Sequence, residues 1–295
     1  MVAFGALTAL LLAFGWCLAA VRFGPRLGFV DAPDDPDLKI HQNSAVPLGG
    51  VGVLLGVGVG WWLAGGFDAR VIVPAGAVTL LGLVDDRFRL SARVRLAAQI
   101  VIAITVVGLG AVPLDSGRIL EAFVGMSLMV VAINAFNLFD GLDGLAGAGG
   151  LVAALGVAAL AAARSRDSDL AWVMAAALAG FLLLNRHPAR VFLGDNGAYL
   201  VGFLLAVAVM RASPTGLGAE LAVAVLLLGV FLLDLVVTVV RRGLGRRPLF
   251  AGDRSHLYDR LVGRGWSVGR VVMGAVIVQF GFLALALLIE AALTN

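Results

Sequence analysis

Residues 123–147 read FVGMSLMVVAINAFNLFDGLDGLAG, an apolar run that passes directly into a cluster of amides and carboxylates. Asn134, Asn137, Asp140 and Asp143 follow one another at intervals of three residues. Residues three apart are neighbours on a helix, so this spacing predicts a single polar stripe. Polar side chains at the end of a membrane-length run usually mark a functional site. The alternative is a helix end that passes into an ordinary polar loop.

The rest of the chain is as apolar as this stretch. Of its 295 residues, 61% are hydrophobic and 14% are charged, and the mean hydropathy is +1.01. Soluble domains are about half apolar and a quarter charged, so the composition predicts an integral membrane protein in the lipid bilayer, with no nucleic-acid partner. The one cysteine, Cys17, lies in the first apolar run, which excludes a disulfide framework and a cysteine-based metal site.

Apolar stretches of spanning length predict an all-α fold, a polytopic membrane helix bundle with about ten transmembrane helices. They fall at 3–22, 47–65, 70–84, 94–112, 119–139, 145–163, 169–185, 197–212, 219–240 and 268–292. No linker separates domains, so we expect one membrane-embedded domain over residues 1–295. Arginines concentrate in the loops at 22–46, 85–95, 186–196 and 241–270. The positive-inside rule places these loops in the cytoplasm and both termini outside the cell membrane.

The clusters with chemical potential all lie in or beside these basic loops, which predicts one cytoplasmic active-site cleft. They are DAPDDPDLKIH at 31–41, the Asp85–Asp86 pair, the Asn/Asp stripe, FLGDNG at 192–197 and GDRSH at 252–256. The opposite loops, such as GGFD and SPTGLG, are short and typical of simple turns.

Each cluster taken alone has an ordinary alternative. Asp85 and Asp86 either end a solvated helix balanced by arginines or bind a cation or phosphate. Asp195 either caps a helix or marks a helix N-terminus that binds phosphate. Asp234 lies inside an apolar span and needs a partner, whereas a lone loop histidine such as His256 is more often solvated.

Considered together, the clusters indicate phosphoryl-type transfer. Five carboxylates and many arginines meet at one membrane face, without a His/Cys cluster that would suit a transition metal. Hard carboxylate oxygens suit Mg²⁺, or Mn²⁺, held with few protein ligands and substrate phosphates. A phosphate-rich cytosolic substrate that meets a membrane lipid is therefore the expected chemistry.

These residues resemble the polyprenyl-phosphate N-acetylhexosamine-1-phosphate transferases. NAFNLFDGLDGLAG is similar to the family signature, and FLGDNG resembles its Phe-x-Gly-Asp motif. Three further motifs match in order: Asp31, Pro33, Lys39, His41, Pro47, Gly49 and Gly50; then Asp85, Asp86, Leu90, Arg93, Arg95 and Gln99; and finally Asp234, Arg241, Arg242, Phe250, Asp253, Arg254 and His256. The resemblance runs from residue 31 to about residue 261.

The resemblance implies an Mg²⁺-dependent enzyme that transfers HexNAc-1-phosphate, with GlcNAc expected, from a UDP-N-acetylhexosamine to a polyprenyl phosphate. The products would be UMP and a polyprenyl-diphosphate-sugar that primes a surface polysaccharide, formed at the inner (plasma) membrane. The lipid would be undecaprenyl or decaprenyl phosphate, and homodimer formation is left open. The carried-over catalytic residues are Asp85, as the favoured general base, and Asp86, and the metal ligands are Asp195 and Asp86. The substrate-binding residues are Lys39, His41, Asn134, Asn137, Asp140, Asp143, Phe192 as the uracil stack, Asp234, Arg254 and His256.

The chain departs from the family pattern at two places, where the family's residue roles do not transfer. Leu38 stands where the family usually has a basic residue, and Leu257, Tyr258 and Asp259 stand where it often carries a run of histidines. The missing histidines argue against the phospho-N-acetylmuramoyl-pentapeptide transferase branch, which remains the closest alternative. CDP-alcohol phosphotransferases require an Ala-Arg after the first Asp-Gly, which this chain lacks. The alternative from a different functional class is a cation- or proton-coupled transporter, which would need acidic residues near the bilayer midplane.

Overall fold

The computed structural model describes residues 1–30, 45–113, 119–212, 218–246 and 255–294. These residues form twelve α-helices and a short 3-10 helix, Gly24–Leu27. The α-helices are α1 Val2–Phe23, α2 Gly49–Ala64, α3 Ala69–Phe88, α4 Ala92–Gly108, α5 Ile119–Phe139, α6 Leu145–Ala163, α7 Asp169–Asn185, α8 Gly194–Ala212, α9 Ala219–Leu227, α10 Gly229–Leu244, α11 Leu257–Gly263 and α12 Val268–Thr294. The described ranges contain no strand, only an isolated parallel bridge between Val46 and Val191. The predicted all-α class is confirmed.

Helix α8 is the centre of the bundle. Nearly every side chain along it is buried, as expected for a helix that is apolar on all sides beyond its first turn. It packs against α2, α3, α5 and α6, while α1, α2 and α7 form a layer on one side and α4 joins α3 to α5 on the other. The long helix α12 packs on α6 and α9 at the periphery, with most of its surface exposed.

Small residues allow the helices to approach closely around α8. A Cβ at Gly82 of α3 would overlap the backbone of Asn196 at the start of α8. In membrane bundles, where lipid is as apolar as leucine, such small-residue contacts are a main source of helix association. The contact brings the end of α3, which carries Asp85 and Asp86, to the start of α8.

Five helices are long and apolar enough to cross a membrane: α1 with the following 3-10 turn, α5, α6, α8 and α12. The bent pair α9 and α10 would add a sixth if it forms one span, and α2 and α7 are shorter apolar helices. Each of the ten predicted spans coincides with a helix or with this pair. A multi-pass helical architecture is thus supported, and the number ten and the outside position of both termini stay predictions.

The predicted ninth span, 219–240, is wrong in one respect, because it is broken. Helices α9 and α10 meet at 87° around Leu228. The buried side chain of Gln279 on α12 spans the break: its Nε2 donates to the Leu227 carbonyl at 2.8 Å, and its Oε1 accepts from the Val230 N–H at 3.0 Å. One amide therefore satisfies two backbone groups that the break releases into an apolar environment.

Ion pairs join the helices at the end opposite the polar stripe. Nε of Arg164, at the end of α6, donates to Oε1 of Glu290 on α12 at 2.6 Å. Asp68, the N-cap of α3, pairs with Arg70 at 3.0 Å and with Arg211 of α8 at 3.1 Å. Cys17 is buried within α1.

Candidate functional site

The polar stripe begins on a helix and continues in a turn. Helix α5 ends at Phe139, so only Asn134 and Asn137 lie on helical turns, while Asp140 and Asp143 lie in the link to α6. The prediction of one helical stripe therefore holds for its first half. At the other end of the link, Gly144 adopts a left-handed conformation with φ of 76° directly before α6 begins.

Asn137 connects the stripe to the FLGDNG motif. Its Nδ2 donates to Oδ1 of Asp195 in the first turn of α8, at 2.6 Å. Oδ2 of Asp195 accepts no hydrogen bond from the residues that the structure describes. Asp195 is therefore oriented by an amide and keeps one oxygen for a ligand.

Asp86 caps the start of α8. Its Oδ1 accepts from the backbone N–H of Asp195 at 3.0 Å, and its Oδ2 accepts from the side-chain amide of Asn196 at 2.8 Å and from the Asn196 backbone N–H at 3.3 Å. A carboxylate offers about four lone-pair positions, so these three donors leave about one. The cap ties the Asp-Asp motif to the Phe-x-Gly-Asp motif through a helix N-terminus.

Asp85 points away from Asp86, into the protein. Its Oδ1 accepts from the Leu90 backbone N–H at 2.8 Å, and its Oδ2 accepts from Tyr199 at 2.6 Å and from Arg95 at 3.1 Å. The Asp85 side chain is 3% exposed, so Asp85 and Arg95 form an ion pair whose carboxylate is buried and fully hydrogen-bonded. Through Arg95 and Tyr199, Asp85 links α3 to α4 and α8.

The Asp140 carboxyl carries the clearest electrostatic sign of a site. It forms no hydrogen bond or ion pair with any residue in the described ranges. Its own burial, followed by the negative charges of Asp195, Asp86 and Asp143, raises the pKa of Asp140 to about 8. Perturbed acids that face one another in this way cluster at functional sites, and a cation between them would relieve the repulsion.

The remaining stripe residues hold the site together. Asp143 pairs with His187 Nδ1 at 2.8 Å and accepts the Ala189 N–H at 3.0 Å, in the α7–α8 connection. Asn134 donates to Oε1 of Gln99 on α4 at 2.6 Å, and Nε2 of the fully buried Gln99 has no partner among the described residues. That unsatisfied donor faces inward beside the stripe.

Asp234 and His256 meet inside the last part of the site. Oδ2 of Asp234, on α10, lies 2.8 Å from Nδ1 of His256, and both side chains are buried. Thr238 also contacts Nδ1, at 3.2 Å. The ring of Tyr258 stacks on His256, and the Tyr258 hydroxyl donates to the Leu138 carbonyl of α5 at 2.9 Å. The prediction that Asp234 needs a partner is thus answered by His256.

Other predicted residues are less directly connected. Phe192 bonds through its backbone to Val46 and Gly49, each at 2.9 Å, in the segment that carries the bridge. These bonds hold the segment before α8 against the start of α2. Stacking of the Phe192 ring on uracil stays a prediction. Lys39, His41 and Arg254 lie outside the described residues.

A metal site fits this face in part. Within the described ranges, no group of three or more His, Cys, Asp or Glu side chains is arranged to hold a metal ion. The free oxygens of Asp195 and Asp140 and the remaining position on Asp86 are hard donors of the kind that Mg²⁺ prefers. Mg²⁺ usually completes its shell with waters and substrate phosphates, so two or three such donors are enough.

Sequence reasoning missed two residues that build the site. Tyr199 lies four positions after Asp195 and therefore on the same face of α8, which is the pattern that could have revealed it. Asn185, at the end of α7, accepts the Gly144 N–H at 3.0 Å and donates to the Val191 carbonyl at 2.9 Å. Asn185 therefore connects the end of the α5–α6 link, at Gly144, to the segment before α8, at Val191.

Comparison with known proteins gives the family. The glycosyl transferase family 4 model matches residues 69–213, which include α3 to α8 with Asp85, Asp86, Asp140, Asp143 and Asp195, but not Asp234. A Bacillus subtilis protein named as a probable undecaprenyl-phosphate N-acetylglucosaminyl 1-phosphate transferase is 29% identical over 92% of this chain and 80% of its own. The decaprenyl-phosphate N-acetylglucosaminephosphotransferase of Mycobacterium tuberculosis is 32% identical over 84% of this chain and 72% of its own.

A phospho-N-acetylmuramoyl-pentapeptide-transferase from Deinococcus radiodurans is a weaker match, 29% identical over 74% of this chain and 77% of its own. The similarity to the mycobacterial enzyme extends over most of both chains. Within the described ranges, the Asp-Asp pair, the Asn/Asp stripe and the FLGDNG segment meet at one end of the bundle. The chain therefore belongs to the polyprenyl-phosphate N-acetylhexosamine-1-phosphate transferases and contains the glycosyl transferase family 4 core.

Proposed function

We propose that this protein transfers a HexNAc-1-phosphate, most simply GlcNAc-1-phosphate, from a UDP-sugar to a polyprenyl phosphate. An oxygen of the lipid phosphate attacks the sugar-bearing β-phosphorus, the bond to UMP breaks, and a polyprenyl-diphosphate-sugar forms. The relatives' names support the two substrate classes. The observation that carries the proposal is the convergence of Asp86, Asp140 and Asp195, with oxygens left free, at one end of a membrane bundle.

The side chains have distinct proposed tasks. Asn137 orients Asp195, while Asp86 locks the end of α3 to the start of α8, so the acids keep their relative positions when substrate enters. Asp85, with Arg95 and Tyr199, supports this junction from below. Such preorganised charge is the main source of catalysis in phosphoryl transfer. The proposed role of Asp85 as general base is not needed for attack, because a phosphate monoester with a second pKa near 6 is mostly dianionic at pH 7.

We propose Mg²⁺ as the cofactor, held by Asp195 and Asp86, with Asp140 beside them. When bound there, the ion would neutralise the diphosphate and stabilise the leaving UMP. Its absence would leave the acids and the substrate phosphates, all negative, facing one another.

The proposed location is the inner (plasma) membrane, with the acidic end of the bundle in the cytoplasm and both termini outside. The arginine distribution of the loops supports this orientation. It also places the site where nucleotide sugars are made and where the phosphate of a membrane lipid can reach it.

The test is UMP release by the purified protein in detergent. The assay would offer undecaprenyl or decaprenyl phosphate with UDP-GlcNAc, UDP-GalNAc or UDP-MurNAc-pentapeptide, each with Mg²⁺ and with Mg²⁺ plus chelator. We expect lipid-dependent release with a UDP-HexNAc that the chelator abolishes. Release with the pentapeptide donor alone would favour the muramoyl branch, and no release from folded protein with any donor would contradict the proposed reaction.

A further inference from the structure

One aromatic residue, Tyr258, connects the last segment of the site, residues 255–263, to the end of α5. His256 precedes α11, and its backbone N–H donates to Asp259, which fixes the start of that helix. The ring of Tyr258 lies parallel to the ring of His256, with centroids 5.2 Å apart and an interplanar angle of 8°. The Tyr258 ring also meets the ring of Phe139 at the end of α5 edge-on, with centroids 6.3 Å apart.

The hydroxyl of Tyr258 completes this contact. It donates to the carbonyl of Leu138 at 2.9 Å. The last four carbonyls of a helix have no partner within the helix, so Tyr258 caps the end of α5 directly before Asp140. Gly141 is matched to this cap, because a Cβ at position 141 would overlap the Tyr258 hydroxyl.

The same contacts determine which nitrogen of His256 is available. Nδ1 lies 2.8 Å from Oδ2 of Asp234 and 3.2 Å from the Thr238 hydroxyl, so this ring nitrogen is engaged within the protein. Nε2 forms no hydrogen bond within the described ranges and points away from Asp234. The position of this nitrogen relative to the stripe is therefore set by Asp234 on one side and by Tyr258 on the other.

We propose that Tyr258 is a positioning residue for the transfer reaction, acting through His256. By capping α5 and stacking on the imidazole, it holds Nε2 of His256 beside the stripe, where that nitrogen contacts the diphosphate of the nucleotide sugar. Gly141 is the matching residue that admits the Tyr258 ring. This inference rests on the proposed function for the role of His256, whereas the docking itself is independent of the reaction.

The first experiment measures docking without reference to activity. Hydrogen exchange of the amides in residues 257–263 would be compared between the wild type, Tyr258→Phe, Tyr258→Leu and an aromatic control, Trp266→Phe, whose side chain is exposed just after α11. One hydrogen bond is worth about 1 kcal/mol, so Tyr258→Phe should accelerate exchange roughly 3- to 10-fold. Tyr258→Leu should accelerate it further, and Trp266→Phe should not. Unchanged exchange in both Tyr258 variants would overturn the proposal.

The second experiment measures coupling to His256. Tyr258→Phe should lower kcat roughly 3- to 10-fold with little change in the KM for lipid, whereas in a His256→Ala background the same substitution should change kcat less than about 2-fold. Independent, multiplying effects of the two substitutions would contradict action through His256. Failure of the wild type to release UMP would count against the proposed function, and the exchange data would still decide the docking.

Discussion

One carboxylate oxygen of Asp195 accepts from Asn137, and the other accepts no hydrogen bond within the described ranges. Substitution of Asp195 is therefore the sharpest single test of the site. Asparagine at this position has nearly the same shape and can still accept from Asn137, but it removes one negative charge. We expect Asp195→Asn to lower kcat by at least about 100-fold and to leave the thermal unfolding midpoint unchanged or higher, because repulsion within the acidic cluster decreases.

The matched control is Asp167→Asn, an exposed acid in the loop between α6 and α7. It should leave both UMP release and the unfolding midpoint unchanged. Near-normal turnover by a folded Asp195→Asn protein would remove Asp195 from the proposed metal site.

Asp140 gives a prediction for pH. Its folded-state pKa of about 8 lies above the unfolded value of about 3.9, so between these values the folded state binds a proton that the unfolded state lacks. The stability of the ligand-free protein should therefore fall as pH rises from about 4 to about 8 and level off above that. Unfolding midpoints from pH 5 to pH 9 should fall less for Asp140→Asn than for the wild type. Parallel curves for the two proteins would show that Asp140 is not the titrating group.

At this scale the sequence was a good guide to which residues matter and a poor guide to how they are connected. The spacing of the four stripe residues was visible in the sequence, and so was the free-energy cost of placing four polar side chains beside an apolar run. Their partners were harder to find, because only the spacing from Asp195 pointed to Tyr199, and Asn185 contacts the site only after distant helices pack. Asp85 and Asp86 are adjacent in sequence, yet one faces inward and the other caps α8.

Among the helices, the break between α9 and α10 shows the limits of hydropathy. The run at 219–240 contains no proline, and hydropathy alone did not predict the 87° bend that occurs beside Gly229. Its backbone groups find their partner far along the chain, in Gln279, which supplies both a donor and an acceptor. By contrast, the predicted bounds of α5, α6 and α7 agree with the structure, because charged or glycine-rich loops separate them.

Gln279→Leu tests this clamp. The substitution keeps the volume but leaves the Leu227 carbonyl and the Val230 N–H without these partners, at a cost of about 1–3 kcal/mol for each buried group. We expect the unfolding midpoint to fall by several degrees, whereas the control Ile277→Leu, at an exposed position of the same helix, should not change it. An unchanged midpoint in Gln279→Leu would show that the bend is held by other packing, such as that of Phe282 on Gly229.

For the molecule as a whole, α12 is the element that sequence alone left without a place. Its 27 residues are mostly exposed, and among the described residues its polar attachments are Gln279 near the middle and Glu290 near the end. The neighbours of α8 were equally invisible in the sequence, since the order in which helices pack depends on close contacts such as that of Gly82 with Asn196.

The Arg164–Glu290 pair should therefore contribute to the stability of the whole bundle. Arg164→Met takes this partner from a buried carboxylate, which typically costs about 3–5 kcal/mol, whereas the double variant Arg164→Met/Glu290→Leu removes the charge as well. We expect the double variant to be more stable than the single one in thermal unfolding. Additive losses in the two single variants would indicate that the two side chains do not act as a pair.

Cys17, the one cysteine of the chain, lies buried in α1. A thiol introduced elsewhere would therefore be the first to react with a membrane-impermeant maleimide in intact cells. Ser91, beside the acidic end, and Ser168, beside the Arg164–Glu290 end, are natural positions for such a probe. Labelling of Ser168→Cys from outside, with Ser91→Cys protected until the cells are opened, is what the proposed orientation requires. The native protein thus already provides the unreactive background in which each end of the bundle can be assigned to a compartment.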